Sequence, residues 1–189
     1  MELLTKLNQY KRYKNAIKFL ERNGFSRIGG GFSRNTYAKD DIVIKLTNFA
    51  DDVSKWHENF KDIPFIHSNR NEYRHFKQIK NTILGNAVIP VLHFKALKNY
   101  SYNVMPRGDE CPSFEYINNC VYIHDQTYQF EYDVLSKMFC DVHPCNLVLY
   151  KGRLRVCDYQ FGLMNDPVLF PEFSNHFKEY EKWFLTLNK

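Results

Sequence analysis

Leu3, Leu4, Leu7, Tyr10, Tyr13, Ile17 and Leu20 recur every three to four residues and Gly24 follows them, so the pattern predicts one amphipathic helix over residues 2–23. From 25 to 46 the pattern becomes that of a hairpin or short meander. It holds the glycine run Gly29-Gly30-Gly31, a turn at Lys39-Asp40-Asp41 and the apolar strand Ile42-Val43-Ile44-Lys45-Leu46. Residues 47–67 read as a polar insertion with Trp56, Phe60, Phe65 and Ile66 as packing anchors. A second helix is predicted from near Asn69 through Tyr73, Phe76 and Ile79 to a stop at Gly85, then two strands at 87–94 and 100–105. Pro106-Arg107-Gly108 breaks the second strand, and 107–113 form a turn-rich connection. Between 113 and 137, Phe114, Tyr116, Ile117, Val121, Phe130, Val134 and Leu135 suggest one or two helices. Residues 147–150 and 153–157 make a tight hairpin about Lys151-Gly152, and 170–187 read as a closing helix.

Composition narrows the class. The chain has 189 residues, 44% of them hydrophobic, with 13 Tyr and 16 Phe, which is enough for a folded core in one or two small domains. A net charge of +5 favours acidic partners: nucleotide, nucleic acid or anionic membrane. Lys6, Lys11, Arg12, Lys14, Lys18 and Arg22 line the outer face of the first helix. That face reads as a solvated surface or as a membrane or nucleic-acid contact. It carries no interleaved aromatics for base stacking, and no recognised DNA or RNA module accompanies it. No stretch reaches the roughly 18–20 apolar residues that cross a bilayer and no leader pattern opens the chain, so the expected location is cytoplasmic. Five cysteines, an odd number, fit reduced thiols. Cys140, His143, Cys145 and Cys157 could be drawn as a zinc set, but Cys140 and Cys157 lie in apolar frames where cysteine acts as a small hydrophobe.

The candidate chemistry lies in three places. Asp141-Val142-His143-Pro144-Cys145-Asn146 is followed by Asp158 in the frame Val156-Cys157-Asp158-Tyr159-Gln160. The 147–157 hairpin brings Asn146 and Asp158 to adjacent strand ends, where an amide and a carboxylate oxygen could share a hard divalent cation. His143 reads as a turn-packing residue or a base. Upstream, a glycine run lets backbone N–H groups approach a phosphate, or simply makes a turn. Lys45 stands inside a β-branched run, where a lysine is seldom buried without a partner. Glu72 is the candidate partner, although Asn69 and Glu72 also match a capping box.

Taken in order, the glycine run, strand lysine, helix glutamate, Asp141-x4-Asn146 and Asp158 resemble the protein-kinase-like superfamily over about residues 25–165. The loop at 141–146 is similar to that of aminoglycoside and choline kinase relatives. The outline resembles the YrbL-like family of the bacterial PhoP network and small phage-encoded kinase-like proteins. The resemblance implies an α+β, bilobal protein-kinase-like fold, with residues 1–106 as an N-terminal helix plus a small antiparallel-sheet lobe and 107–189 as a reduced, mainly helical lobe. It implies ATP and Mg²⁺ as cofactors. Lys45 held by Glu72 would contact phosphates, and Gly29, Gly30, Gly31, Ser33 and Arg34 would cover them. Val104 and Met105 would meet the adenine, Asn146 and Asp158 would hold the metal, and Asp141 would orient the acceptor hydroxyl. The sequence departs from the family at Arg34, which stands in the third glycine position, at Phe139-Cys140 before Asp141, and at Cys145. Only 31 residues follow Asp158. The implied functions are a minimal kinase acting on a Ser/Thr hydroxyl of itself or of a bound protein partner, a small-molecule kinase, and a nucleotide-binding pseudokinase.

Overall fold

A computed structural model describes residues 2–30, 34–48, 68–118, 120–139, 142–159 and Lys182. The fold is α+β. Its main sheet is antiparallel and five-stranded, with spatial order β1 (Ser26–Gly30), β2 (Asn35–Lys39), β3 (Ile42–Asn48), β5 (Tyr100–Pro106) and β4 (His93–Ala96). Alternation sorts its two central strands. Ile44, Leu46, Tyr100, Tyr102 and Val104 bury one face against Leu7, Ala16, Phe19, Leu20 and Phe25. Lys45, Thr47, Ser101 and Asn103 occupy the intervening positions and therefore the opposite face, where Lys45 stands across from Asn103 and Thr47 across from Ser101. All four are buried. These two strands thus have an apolar side and a polar side, and both are buried.

Two helices cover the apolar side, in place of the single one expected over 2–23. They are α1 (Glu2–Leu7) and α2 (Tyr13–Arg22). The sheet itself supplies the reason for the break. The Tyr100 hydroxyl donates to Leu7 O and Tyr10 O at 3.1 and 3.0 Å, Asn99 Nδ2 donates to Lys11 O at 2.8 Å, and the Tyr102 hydroxyl donates to Asn8 Oδ1 at 2.8 Å. The bonds to Leu7, Tyr10 and Lys11 satisfy backbone carbonyls that a continuous helix would have used internally, and the one to Asn8 holds a side chain at the break. At the far end α2 stops as the sequence suggested. Gly24 takes φ +84°, with Phe25 N–H donating to Leu20 O and Gly24 N–H to Glu21 O, a Schellman closure that a side chain at 24 would strain.

The chain forms two compact units, Met1–Tyr73 with Val91–Arg107, and Arg74–Pro90 with Gly108–Lys189. The division falls within α3 (Ser68–Ile79), after Tyr73. The strand expected at 87–94 is likewise divided. Val88 forms a parallel bridge with Val156, with Ile89 N–H donating to Val156 O and Val156 N–H to Ala87 O, whereas β4 begins only at His93. Pro90, which has no N–H for a ladder, stands at the change.

In the second unit, the residues at 113–137 are not all helical. Phe114–Ile117 (β6) and Cys120–Ile123 (β7) form an antiparallel hairpin, and only Gln126–Met138 (α4) is a helix. Asn118, at φ 50°, makes the tight reversal that hairpin strands need, and the run is rich in aromatic and β-branched residues that favour a pleated surface. Asp125 caps α4 by accepting from Thr127 N–H at 2.8 Å. The expected hairpin is present as β8 (Leu147–Tyr150) and β9 (Arg153–Val156). It is tied to α4 by Glu131, which accepts from Arg153 Nε at 2.7 Å and from Leu154 N–H. Burial raises the Glu131 carboxyl above its usual range, against the opposing pull of Leu154 N–H and Arg153. On its other side the hairpin meets the Gly108 segment through a paired bridge between Asp109 and Leu149. A Cβ on Gly108 would lie 2.7 Å from Val148 Cγ2 and 2.8 Å from Leu149 O, so the approach requires glycine. The anchors expected at 49–67 and the closing helix at 170–187, Lys182 excepted, lie outside the described residues. Among the described residues no helix is long and apolar enough to cross a membrane.

Candidate functional site

Glu72 is fully buried and is the centre of the polar face. Its Oε1 accepts from Lys45 Nζ at 2.9 Å, and its Oε2 accepts from Arg34 Nη1 at 2.7 Å and from Asn103 Nδ2 at 2.9 Å. Asn69, one turn earlier on α3, donates through Nδ2 to Lys45 O at 3.1 Å and Ser101 O at 3.0 Å, and its own carbonyl accepts from Asn103 Nδ2 at 3.0 Å. Between Asn69 and Glu72 the capping-box alternative fails, because α3 begins at Ser68 and both side chains are spent on the sheet. A carboxylate out of water needs such company. Three donors at short range, two of them cationic, supply it. Two polar atoms of this face, Asn103 Oδ1 and Thr47 Oγ1, are buried without a hydrogen-bond partner.

The other nucleotide-side positions drawn from sequence belong to the same unit. Gly29 and Gly30 end β1, with Gly30 across from Asn35. Val104 and Met105 are buried in β5, across from Ile44 and Val43. Met105 falls on the same side of the sheet as Lys45, whereas Val104 belongs to the apolar core. Arg107 N–H donates to Asp41 O at 2.8 Å, which continues the β3–β5 pairing past Pro106. Gly31 and Ser33 lie outside the described residues.

In the second unit, Asn146 and Asp158 are placed by the β8–β9 ladder. Leu147 pairs with Val156, and Cys157 N–H donates to Asn146 O at 2.8 Å, so Asp158 follows directly on the last rung. Tyr159 secures it from the other side. Its hydroxyl donates to Ile89 O at 2.7 Å, and its carbonyl stands 3.2 Å from His75 Nδ1, which must carry the proton of that bond. Asn146 closes a 3-10 turn (Pro144–Asn146) in which its N–H donates to His143 O at 2.7 Å, so the His143 carbonyl serves the turn. An amide oxygen and a carboxylate oxygen are donor types that suit a hard cation such as Mg²⁺, and this site would take them from Asn146 and Asp158. Among the described residues no three His, Cys, Asp or Glu side chains gather into a metal cluster. Asp141 and Cys140 lie outside those residues.

Sequence reading paired Lys45 with Glu72, took Asn69 for a helix cap, and missed Asn103, His75 and the part played by Arg34 against Glu72. A signal for Asn103 existed. In Tyr100-Ser101-Tyr102-Asn103-Val104 the polar residues alternate with large apolar ones, as Lys45 and Thr47 do in β3, and two such strands side by side make a polar face.

No protein-family model matches the chain, and no curated protein does. Among solved structures it is similar to two of WbdD. One is described as a co-crystal with the kinase inhibitor LY294002, at 15% identity and TM-score 0.44, covering 69% of this chain and 31% of that one. The other is described as monomeric WbdD, at 15% identity and TM-score 0.47, covering 78% and 37%. This chain therefore spans about a third of the length of those proteins.

Proposed function

We propose that the protein is an ATP- and Mg²⁺-dependent phosphotransferase of minimal kinase type, bilobal in plan, passing a γ-phosphoryl group to a Ser/Thr hydroxyl of itself or of a bound protein. The observation that carries the reading is the buried Lys45–Glu72 pair, a lysine held in a strand by a helix carboxylate at 2.9 Å and directed away from the apolar core. An ammonium kept there at the cost of its hydration is suited to meet phosphate oxygens. In this reading Lys45 orients the triphosphate, the glycine segment lies along it and Met105 adjoins the base. Asn146 and Asp158 would hold Mg²⁺, which when bound neutralises charge on the phosphates. Asp141 would direct the acceptor hydroxyl. Positioning and charge neutralisation carry most of the catalysis in such chemistry.

Labelled-phosphate transfer tests this. The wild type should transfer label from ATP only with Mg²⁺, Asp158→Ala should abolish transfer, and Lys45→Met should reduce it sharply. MgATP at about a hundred times its Kd should also stabilise the wild type by about 2.7 kcal/mol in a melt. Full activity in Asp158→Ala overturns the assignment. MgATP stabilisation without transfer in the wild type selects the nucleotide-binding pseudokinase instead.

A further inference from the structure

Arg34 stands between the glycine run and β2, where a contact to phosphate was expected, yet its guanidinium is buried and turned to Glu72. The three donors on this carboxylate divide its oxygens unequally. Lys45 has Oε1, while Arg34 and Asn103 share Oε2. Arg34 Nη1 also lies 3.4 Å from Asn69 Oδ1, so one nitrogen touches two residues a turn apart on α3. A carboxylate held by a single ammonium can still turn about its own axis, and its partner turns with it. Two further donors on the second oxygen fix the plane of the group, and the planar guanidinium is well suited to that task.

We propose that Arg34 is a positioning residue: by fixing the Glu72 carboxylate it sets the Lys45 ammonium, and it fastens the chain leaving the glycine run to α3. The proposal deepens the phosphotransfer reading and, for its kinetic part, rests on it. Arg34, at the head of β2, and the lysine that meets phosphate then answer to the same carboxylate. Arg34 acts through Glu72 and has no need to touch nucleotide.

Two measurements on the intact chain test this, with Arg34→Gln and, as the charge-conserving variant, Arg34→Lys. The first is pulse labelling of lysines with a dilute amine-acylating reagent, without nucleotide, read by mass spectrometry. Loss of the clamp should raise labelling of Lys45 about threefold or more in Arg34→Gln through local opening, less in Arg34→Lys, and leave the exposed Lys14 and Lys18 unchanged. The second is steady-state transfer. Arg34→Gln should lower kcat about tenfold or more while KM for MgATP moves less than about threefold, and Arg34→Lys should recover part of the loss. Unchanged Lys45 labelling overturns the proposal whatever the activity. A raised KM with intact kcat also overturns it, since Arg34 would then be a phosphate ligand. Raised Lys45 labelling in Arg34→Gln, beside a wild type that neither transfers phosphate nor binds MgATP, leaves the positioning role standing and removes the phosphotransfer reading.

Discussion

Tyr100 and Tyr102 show how single side chains tie the N-terminal segment to the sheet. Both are fully buried, and burial, first among the causes, pushes both phenols up to about 12. For Tyr102 the hydrogen bond to Asn8 opposes that rise. The unfolded chain releases these protons near pH 10, whereas the folded one retains them to about 12, so between those values the folded state binds more protons and its stability falls as pH rises. Below about pH 10 neither group contributes a slope. Denaturation followed across pH should therefore be level on this account through the neutral range and then lose roughly 1.4 kcal/mol per pH unit for each tyrosine. Tyr100→Phe should remove half of that alkaline slope and lower neutral stability by about 1 kcal/mol through the lost hydrogen bonds. A tyrosinate absorbance step near pH 10 that the still-folded wild type shows and Tyr100→Phe loses would contradict this account. Glu72 is the other decisive side chain. No hydrophobic substitute could serve Lys45, Arg34 and Asn103 together, and stripping a buried carboxylate from its cations typically costs about 3–5 kcal/mol.

Elements were legible where the period had only one interpretation. The positions buried from α2, Ala16, Phe19 and Leu20, follow the helical repeat, and Ile44 and Leu46 in β3 and Tyr100, Tyr102 and Val104 in β5 recur at every second position. Residues 114–123 show the opposite case. Phe114, Tyr116, Ile117, Val121 and Ile123 suit a helix face nearly as well as a strand, and the two-residue reversal at Asn118 decides the matter. Burial separates the two elements energetically. Leu20→Ala, at a position with no exposure beneath α2, should cost about 2–5 kcal/mol, while Ile117→Ala, 43% exposed on β6, should change stability by about 0.5 kcal/mol or less. Denaturant midpoints at constant slope would measure both, and similar losses at the two sites would refute the placement of the core.

At the scale of the molecule, the units do not follow the simplest cut of the sequence. Residues 74–90 belong with the segment after Gly108, through Val88 and Val156, Tyr159 and Ile89, and His75 and Tyr159. The boundaries between the two units lie at 73/74, 90/91 and 107/108. A fragment ending at Arg107 keeps every strand of the main sheet but deprives Ala87 and Ile89 of Val156. In hydrogen exchange its β3 and β5 amides should remain slow, and those at 83–89 should exchange at least about tenfold faster than in the whole chain. Equal protection of 83–89 in both would show that the division is wrong.

Local chemistry was enough to determine several features of this protein. Gly24 ends α2, the Lys151-Gly152 turn forms the β8–β9 hairpin, and Lys45, one place out of step with Ile44 and Leu46, must leave the apolar face. These follow from neighbouring residues, since turn geometry and side-chain period act over a few positions. Other features came only with the tertiary structure. Tyr100 and Asn99 divide the first helix, Arg34 and Asn103 join Lys45 on Glu72, and His75 and Ile89 hold the residue beside Asp158. Each depends on a hydrogen bond between residues tens of positions apart. Such a bond exists only after packing has removed water from both partners, and no local pattern records which distant group will then stand opposite.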